Sequence, residues 1–112
     1  MTGPQTGRGR NAKGAQAERD LVHYLRDYRG LAAERVRSGR AQDAGDVVWP
    51  GSTWHLDVKH QTRWRVQEWF AELESETAAT GLPLAPLLVL RRPGIVDPGR
   101  WLAITTLKEF DL

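Results

Sequence analysis

Asp57, Val58 and Lys59 form an acid–apolar–amine tripeptide, and Asp46 precedes it by 11 residues. In an extended segment over residues 54–60 successive side chains alternate between faces, so Trp54, Leu56 and Val58 share one face while Asp57, Lys59 and, one step on, Gln61 share the other. The apolar set belongs in a core. A carboxylate and an ammonium are then side by side on the opposite face, and Asp46 joins them if the chain reverses between residues 49 and 54. Paired carboxylates beside a lysine suit a hard divalent cation held through oxygen, with the ammonium next to the water or phosphate that the cation also contacts. Such a cation lowers the pKa of a bound water and offsets charge on a phosphate, while Lys59 orients that water or stabilises the developing charge. This is chemistry suited to phosphodiester hydrolysis. Glu18 supplies a third carboxylate, three, four and seven positions before Leu21, Val22 and Leu25, and so about one turn ahead of an apolar helical stripe. There it reaches the cation directly or through water.

The elements that must position these residues can be read from periodicity. Residues 1–10 read as a flexible basic arm because Gly3, Pro4, Gly7 and Gly9 with Arg8 and Arg10 offer no apolar surface to offset ordering. Residues 11–112 are expected to form one domain. From Asn11, a candidate N-cap, to Arg29 the residues Ala17, Leu21, Leu25 and Tyr28 repeat with helical spacing, and Gly30 stops the helix. A short strand over 31–37 and a polar loop over 38–45 follow. Val47-Val48-Trp49, the Pro50-Gly51-Ser52-Thr53 turn and Trp54 to His60 together predict an antiparallel hairpin. A second helix is predicted over 62–80, with Val66, Trp69, Phe70, Leu73 and Thr77 inward and the glutamates Glu68, Glu72, Glu74 and Glu76 mostly elsewhere. Residues 85–90 read as a strand covered on both faces and 101–104 as a last strand. Thr106 and Glu109 are spaced as a capping box. The order α-β-β-β-α-β-β implies a mixed central sheet flanked by helices, with a crossover to a parallel neighbour around the second helix.

Composition narrows the classes further. The chain has 112 residues and no cysteine, which excludes a disulfide scaffold, a thiolate zinc site and a cysteine nucleophile. The first residues lack an apolar h-region, and the longest apolar stretch, 82–90, is broken by Pro83 and Pro86, so a cytosolic protein with no membrane span is expected. A net charge of +2 hides an asymmetry: residues 1–40 carry nine basic and four acidic residues, whereas residues 41–112 carry seven and ten. Arg8, Arg10, Lys13, Arg35, Arg37 and Arg40 in that basic front part are candidates for phosphate contacts, which would position DNA without reading its sequence. Arg63 and Arg65 in the first turn of the second helix face the positive end of its dipole, a conflict that a bound phosphate removes.

Glu18 on a first helix, Asp46 opening the second strand and Asp57-Val58-Lys59 on the third resemble the PD-(D/E)XK nuclease superfamily. Lys13-Gly14-(x)3-Glu18-Arg19 and the Ser38-Gly39 loop ahead of Asp46 are similar to the archaeal-type Holliday junction resolvases and their small phage-encoded relatives. Asp57 to Gln61, followed by Trp64 to Phe70 and Pro86 to Arg92, is most like the phage-type group. Gly45 stands where the superfamily name has Pro, and the strand acid is Asp rather than Glu. The resemblance, over about residues 10–110, implies a restriction-endonuclease-like αβββαβ core. It also implies a Mg²⁺ site, or Mn²⁺ in its place, from Asp46, Asp57 and the Val58 carbonyl with help from Glu18. Gln61 joins the catalytic set and Ser38 the DNA contacts. The implied protein is a homodimer that resolves four-way, branched double-stranded DNA. Two rivals are a nuclease of the same superfamily with another substrate (restriction-like, end-processing or nonspecific) and a non-enzymatic DNA-binding domain in which the acids balance nearby cations. The plain alternative for Asp57 and Lys59 is a surface ion pair, and for Glu18 a pairing with Arg19. Trp64 is the aromatic candidate for a dimer or DNA contact.

Overall fold

The computed structural model describes the backbone of residues 3–36 and 45–112 and the side chains of residues 14–36 and 45–112. In chain order the elements are α1 (Gly3–Arg29), β1 (Glu34–Arg35), β2 (Val47–Val48), β3 (Trp54–Lys59), α2 (Val66–Ala79), β4 (Ala85–Leu90) and β5 (Leu102–Ile104), with 3-10 turns at Pro98–Arg100 and Leu107–Glu109. The α-β-β-β-α-β-β order is the one the periodicity gives. The strands form two small sheets rather than one central mixed sheet: β1 pairs antiparallel with β2, and β3-β4-β5 form a separate sheet. Within the latter, β3 runs parallel to β4, as a strand–helix–strand crossover requires, and β5 returns antiparallel to β4.

The expected hairpin is half present. Pro50 and Gly51 form the turn, with Ser52 N–H donating to the Trp49 carbonyl at 3.1 Å and Gly51 at φ +82°. Pro at the second and a positive-φ Gly at the third position suit a type II turn, which splays its flanking strands where a primed turn would keep them paired. Accordingly β2 ladders with β1, and β3 with β4.

Register explains how the three-stranded sheet is covered. Val58 lies opposite Val89, and Asp57 and Lys59 lie opposite Leu88 and Leu90. Leu56, Val58 and Val89 pack with Ala17, Leu21 and Val22 of α1, together with Trp101, whereas Leu88 and Leu90 pack against Trp69 and Leu73 of α2. One helix therefore covers each face of the sheet, and β4 is covered on both faces, as its unbroken apolar run implies. Leu73, Leu88 and Leu90 are almost fully buried, each contributing about 1.5–3 kcal/mol by removal from water.

Four expectations change at element ends. α1 begins at Gly3 rather than after Asn11, so the backbone of residues 3–10 is helical where composition reads an arm. Composition registers the lack of core-facing side chains, whereas an existing helix extends by one hydrogen bond per added residue, and Pro4 is tolerated in the first turn. Tyr28 is 80 % exposed and stacks on Tyr24 instead of entering the core. α2 starts at Val66, leaving Arg63 ahead of the helix and Arg65 at its N-cap, so neither occupies the first turn. The Thr106–Glu109 spacing yields a 3-10 turn without a side-chain cap, and the Thr106 hydroxyl is buried without a hydrogen-bond partner among the described residues. The described residues form a small, compact α/β protein with two α-helices. Among the described residues no helix is long and apolar enough to cross a membrane.

Candidate active site

Because β4 occupies one edge of β3, the backbone groups of Leu56 and Val58 point to the other edge. Gly45 and Asp46 cover that edge. Asp46 N–H donates to the Leu56 carbonyl at 2.8 Å, and the Asp46 carboxyl accepts from Val58 N–H at 2.9 Å, taking the place a backbone carbonyl would hold in a continued ladder. Gly45 makes the approach feasible. Its φ is +83°, and a Cβ there would collide with the Leu56 carbonyl oxygen and lie 2.8 Å from the Leu56 nitrogen. Asp46 thus reaches Asp57 by an isolated parallel bridge between Gly45 and Leu56, not across an antiparallel hairpin.

The two carboxyls are hydrogen-bonded to each other. Burial, then that bond and the charge of Asp57, push Asp46 from 3.8 up to about 8, with Glu18 adding a smaller push and the Val58 N–H pulling down. These surroundings favour the protonated form of the Asp46 carboxyl. Lys59 Nζ lies 3.4 Å from Asp57 Oδ2 and 5.6 Å from the centre of the Trp69 ring, so one side chain pairs with it and another sets its direction.

These residues line a cleft of about 490 Å³ between β3 and α2. His55, Asp57 and Lys59 form the β3 side, and Trp69, Glu72 and Glu76 form the α2 side. The face of β3 opposite the apolar set therefore meets α2. His55 is buried with Nδ1 2.7 Å from the Thr77 hydroxyl, and that hydroxyl donates to the Leu73 carbonyl at 2.7 Å. The hydroxyl's single proton is thereby committed, so Nδ1 is the donor. Sequence reasoning missed His55, Glu72 and Glu76. The parity that selects Asp57 and Lys59 selects His55 too, and Glu72 and Glu76 each sit one position before a helix residue of the buried face.

The other candidates are placed differently. Glu18 Oε1 accepts from Arg35 Nε at 3.0 Å and acts on Asp46 only through space. Among the described residues no group of three or more His, Asp or Glu side chains is assembled as a cation site. Gln61 is exposed, lies outside the cleft-lining set, and offers its backbone carbonyl to the Trp64 indole at 3.1 Å. Arg63 and Arg65 are exposed, and Arg65 pairs with Glu68 at 3.7 Å. The side chains of Arg8, Arg10 and Lys13, and all of Arg37, Ser38 and Arg40, lie outside the described residues. Comparison of the chain with family models, with curated proteins and with solved structures returns no match.

Proposed function

We propose that this chain is a divalent-cation-dependent endodeoxyribonuclease of the PD-(D/E)XK type that hydrolyses phosphodiester bonds in branched DNA, resolving four-way junctions as a homodimer. The observation that carries the reading is the meeting of Asp46, Asp57 and Lys59 at the open edge of β3, with the Asp46 carboxyl bound to the Val58 amide and lifted to about 8 by its surroundings.

The donor set fits a hard cation. Two adjacent carboxyls, one of them pushed upward by burial and by the other, are a pair short of positive charge, and a backbone carbonyl, that of Val58, faces the same edge. Mg²⁺ is commonly held by one or two carboxylates together with waters and substrate phosphate, so a two-carboxylate set suffices. Asp46, Asp57 and the Val58 carbonyl would hold the ion, which when bound supplies a Lewis acid that acidifies water and offsets phosphate charge.

The protein's own groups have separable tasks. Val58 N–H fixes the Asp46 carboxyl so that its lone pairs are aimed before substrate arrives. Asp57 orients the Lys59 ammonium, and Trp69 keeps that ammonium at the cleft wall, where it stabilises charge developing on a phosphate oxygen. Glu18, neutralised by Arg35, tunes the field at Asp46 rather than acting on substrate. A two-fold dimer matches the symmetry of a four-way junction, so two such sites would cut two strands.

The test is a panel of linear, forked and four-way DNAs incubated with Mg²⁺ and either wild type or Asp57→Asn. Wild type should cut the junction in preference to linear duplex, and Asp57→Asn should bind but not cut. Equal cutting of linear duplex would remove the junction assignment and leave a nuclease of other substrate. Binding without cleavage by wild type would leave a DNA-binding domain.

A further inference from the structure

Away from the cleft, an open groove of about 580 Å³ runs between the second half of α1 and β1. Arg19, His23, Arg26 and Arg35 line it, with Glu34 the one acid among its described lining residues. Arg19, His23 and Arg26 are spaced four and three apart, which puts them on one stripe of the helix. Among the described residues each guanidinium is anchored by a single hydrogen bond. Arg19 Nη2 donates to Gln16 Oε1 at 3.1 Å, Arg26 Nε to the Ala33 carbonyl at 2.6 Å, and Arg35 Nε to Glu18 Oε1 at 3.0 Å. A guanidinium carries five N–H donors, so among the described residues most of each fork is uncommitted while its direction is already set.

Three pre-oriented guanidiniums around an open groove call for several anions in a row rather than one enclosed ligand. The groove also borders the carboxyl site, because Val36 at its margin donates its N–H to the Asp46 carbonyl at 3.0 Å and Arg35 beside it holds Glu18. A chain of evenly spaced monoanions with one phosphate at Asp46 would pass the groove's margin at Arg35 and Val36. Planar forks match phosphate oxygens bidentately. We propose that this groove binds the phosphodiester backbone of the nucleic-acid strand whose phosphate enters the cleft, a proposal that rests on the nuclease reading for the strand's identity but not for the groove's affinity.

The test measures anisotropy of fluorescein-labelled duplex and four-way DNA in EDTA, with salt varied from about 50 to about 200 mM. Arg19→Gln should weaken binding to both DNAs at least about threefold and lower the slope of log K against log salt by about 0.9, because one phosphate fewer is neutralised, with Arg19→Lys restoring the slope. Arg26→Gln should do the same, but it also removes the bond to Ala33. Arg19→Gln, whose partner is one turn away on the same helix, is therefore the decisive variant. Unchanged affinity and slope in Arg19→Gln, or no DNA binding by wild type, overturns the proposal. So does displacement of DNA by polyglutamate of equal charge, which points to an acidic protein partner. If Arg19→Gln loses affinity while wild type cuts nothing in Mg²⁺, the groove stands and the nuclease reading falls. If wild type cuts and Arg19→Gln binds unchanged, the groove alone falls.

Discussion

Asp46→Asn isolates the electrostatic cost of the carboxyl pair. The Asp46 carboxyl titrates near 3.8 in an unfolded chain and at about 8 in the folded one, so the folded state holds the extra proton between those values. The stability linked to that proton is present in full below about pH 4 and is lost as pH rises to about 8. About 1.4 kcal/mol per pKa unit sets a ceiling of about 6 kcal/mol over the whole window. The site is half-buried and solvent screens part of this, so about 2 kcal/mol is expected between about pH 5 and about pH 8. Asparagine is neutral throughout, still accepts from Val58 N–H and still donates to Asp57. In EDTA, the stability of Asp46→Asn relative to wild type should therefore rise by about 2 kcal/mol from pH 5 to pH 8, which widens the difference in Tm by about 8 °C. Chemical or thermal denaturation at three pH values measures it. If Asp46 and Asp57 hold the proposed cation, Mg²⁺ should narrow the gap at pH 8, because only wild type would offer it both carboxylates. A stability difference that stays flat across this pH range would refute the account of the pair.

Lys59→Gln should keep DNA affinity within a few-fold but reduce single-turnover cleavage by about 100-fold or more, as loss of a positioned charge-stabilising group does; equal cleavage would remove Lys59 from the chemistry. Gly45→Ala should cost at least about 2 kcal/mol in urea denaturation, because its positive φ and the collision with Leu56 backbone add together. A variant as stable as wild type would show that the edge at β3 opens without cost. Leu73→Ala, which empties a fully buried position between α2 and β4, should lose about 2–5 kcal/mol by the same measurement; a loss under about 1 kcal/mol would mean that this interface is loosely packed.

Patterns with a short physical range were legible in the sequence. Alternation in Trp54 to Lys59 separates the core residues Leu56 and Val58 from Asp57 and Lys59, and the 3.6-residue repeat of α2 picks out Trp69, Leu73 and Thr77 as its buried residues. The turn at Pro50-Gly51 was also legible, because its conformation depends on those two residues alone. The partners of the strands beside it were not, since pairing depends on which distant edge is vacant. Tyr28 continues the repeat of α1 yet is exposed, because core contact also requires a neighbour at that level of the helix.

The candidate site divides along the same line. By its own residues the chain determined the faces that Asp57, Lys59 and His55 occupy, since strand geometry alone alternates side chains. Only the tertiary structure decided that this face meets α2, and so brings Glu72, Glu76 and Trp69 to the carboxyls. It likewise decided that Asp46 arrives along the open edge of β3, that Arg35 takes Glu18, and that burial and Asp57 push the Asp46 carboxyl upward. Desolvation and charge–charge distance are properties of packed neighbours, and residues far apart in the chain acquire them only when the sheet and helices close around them.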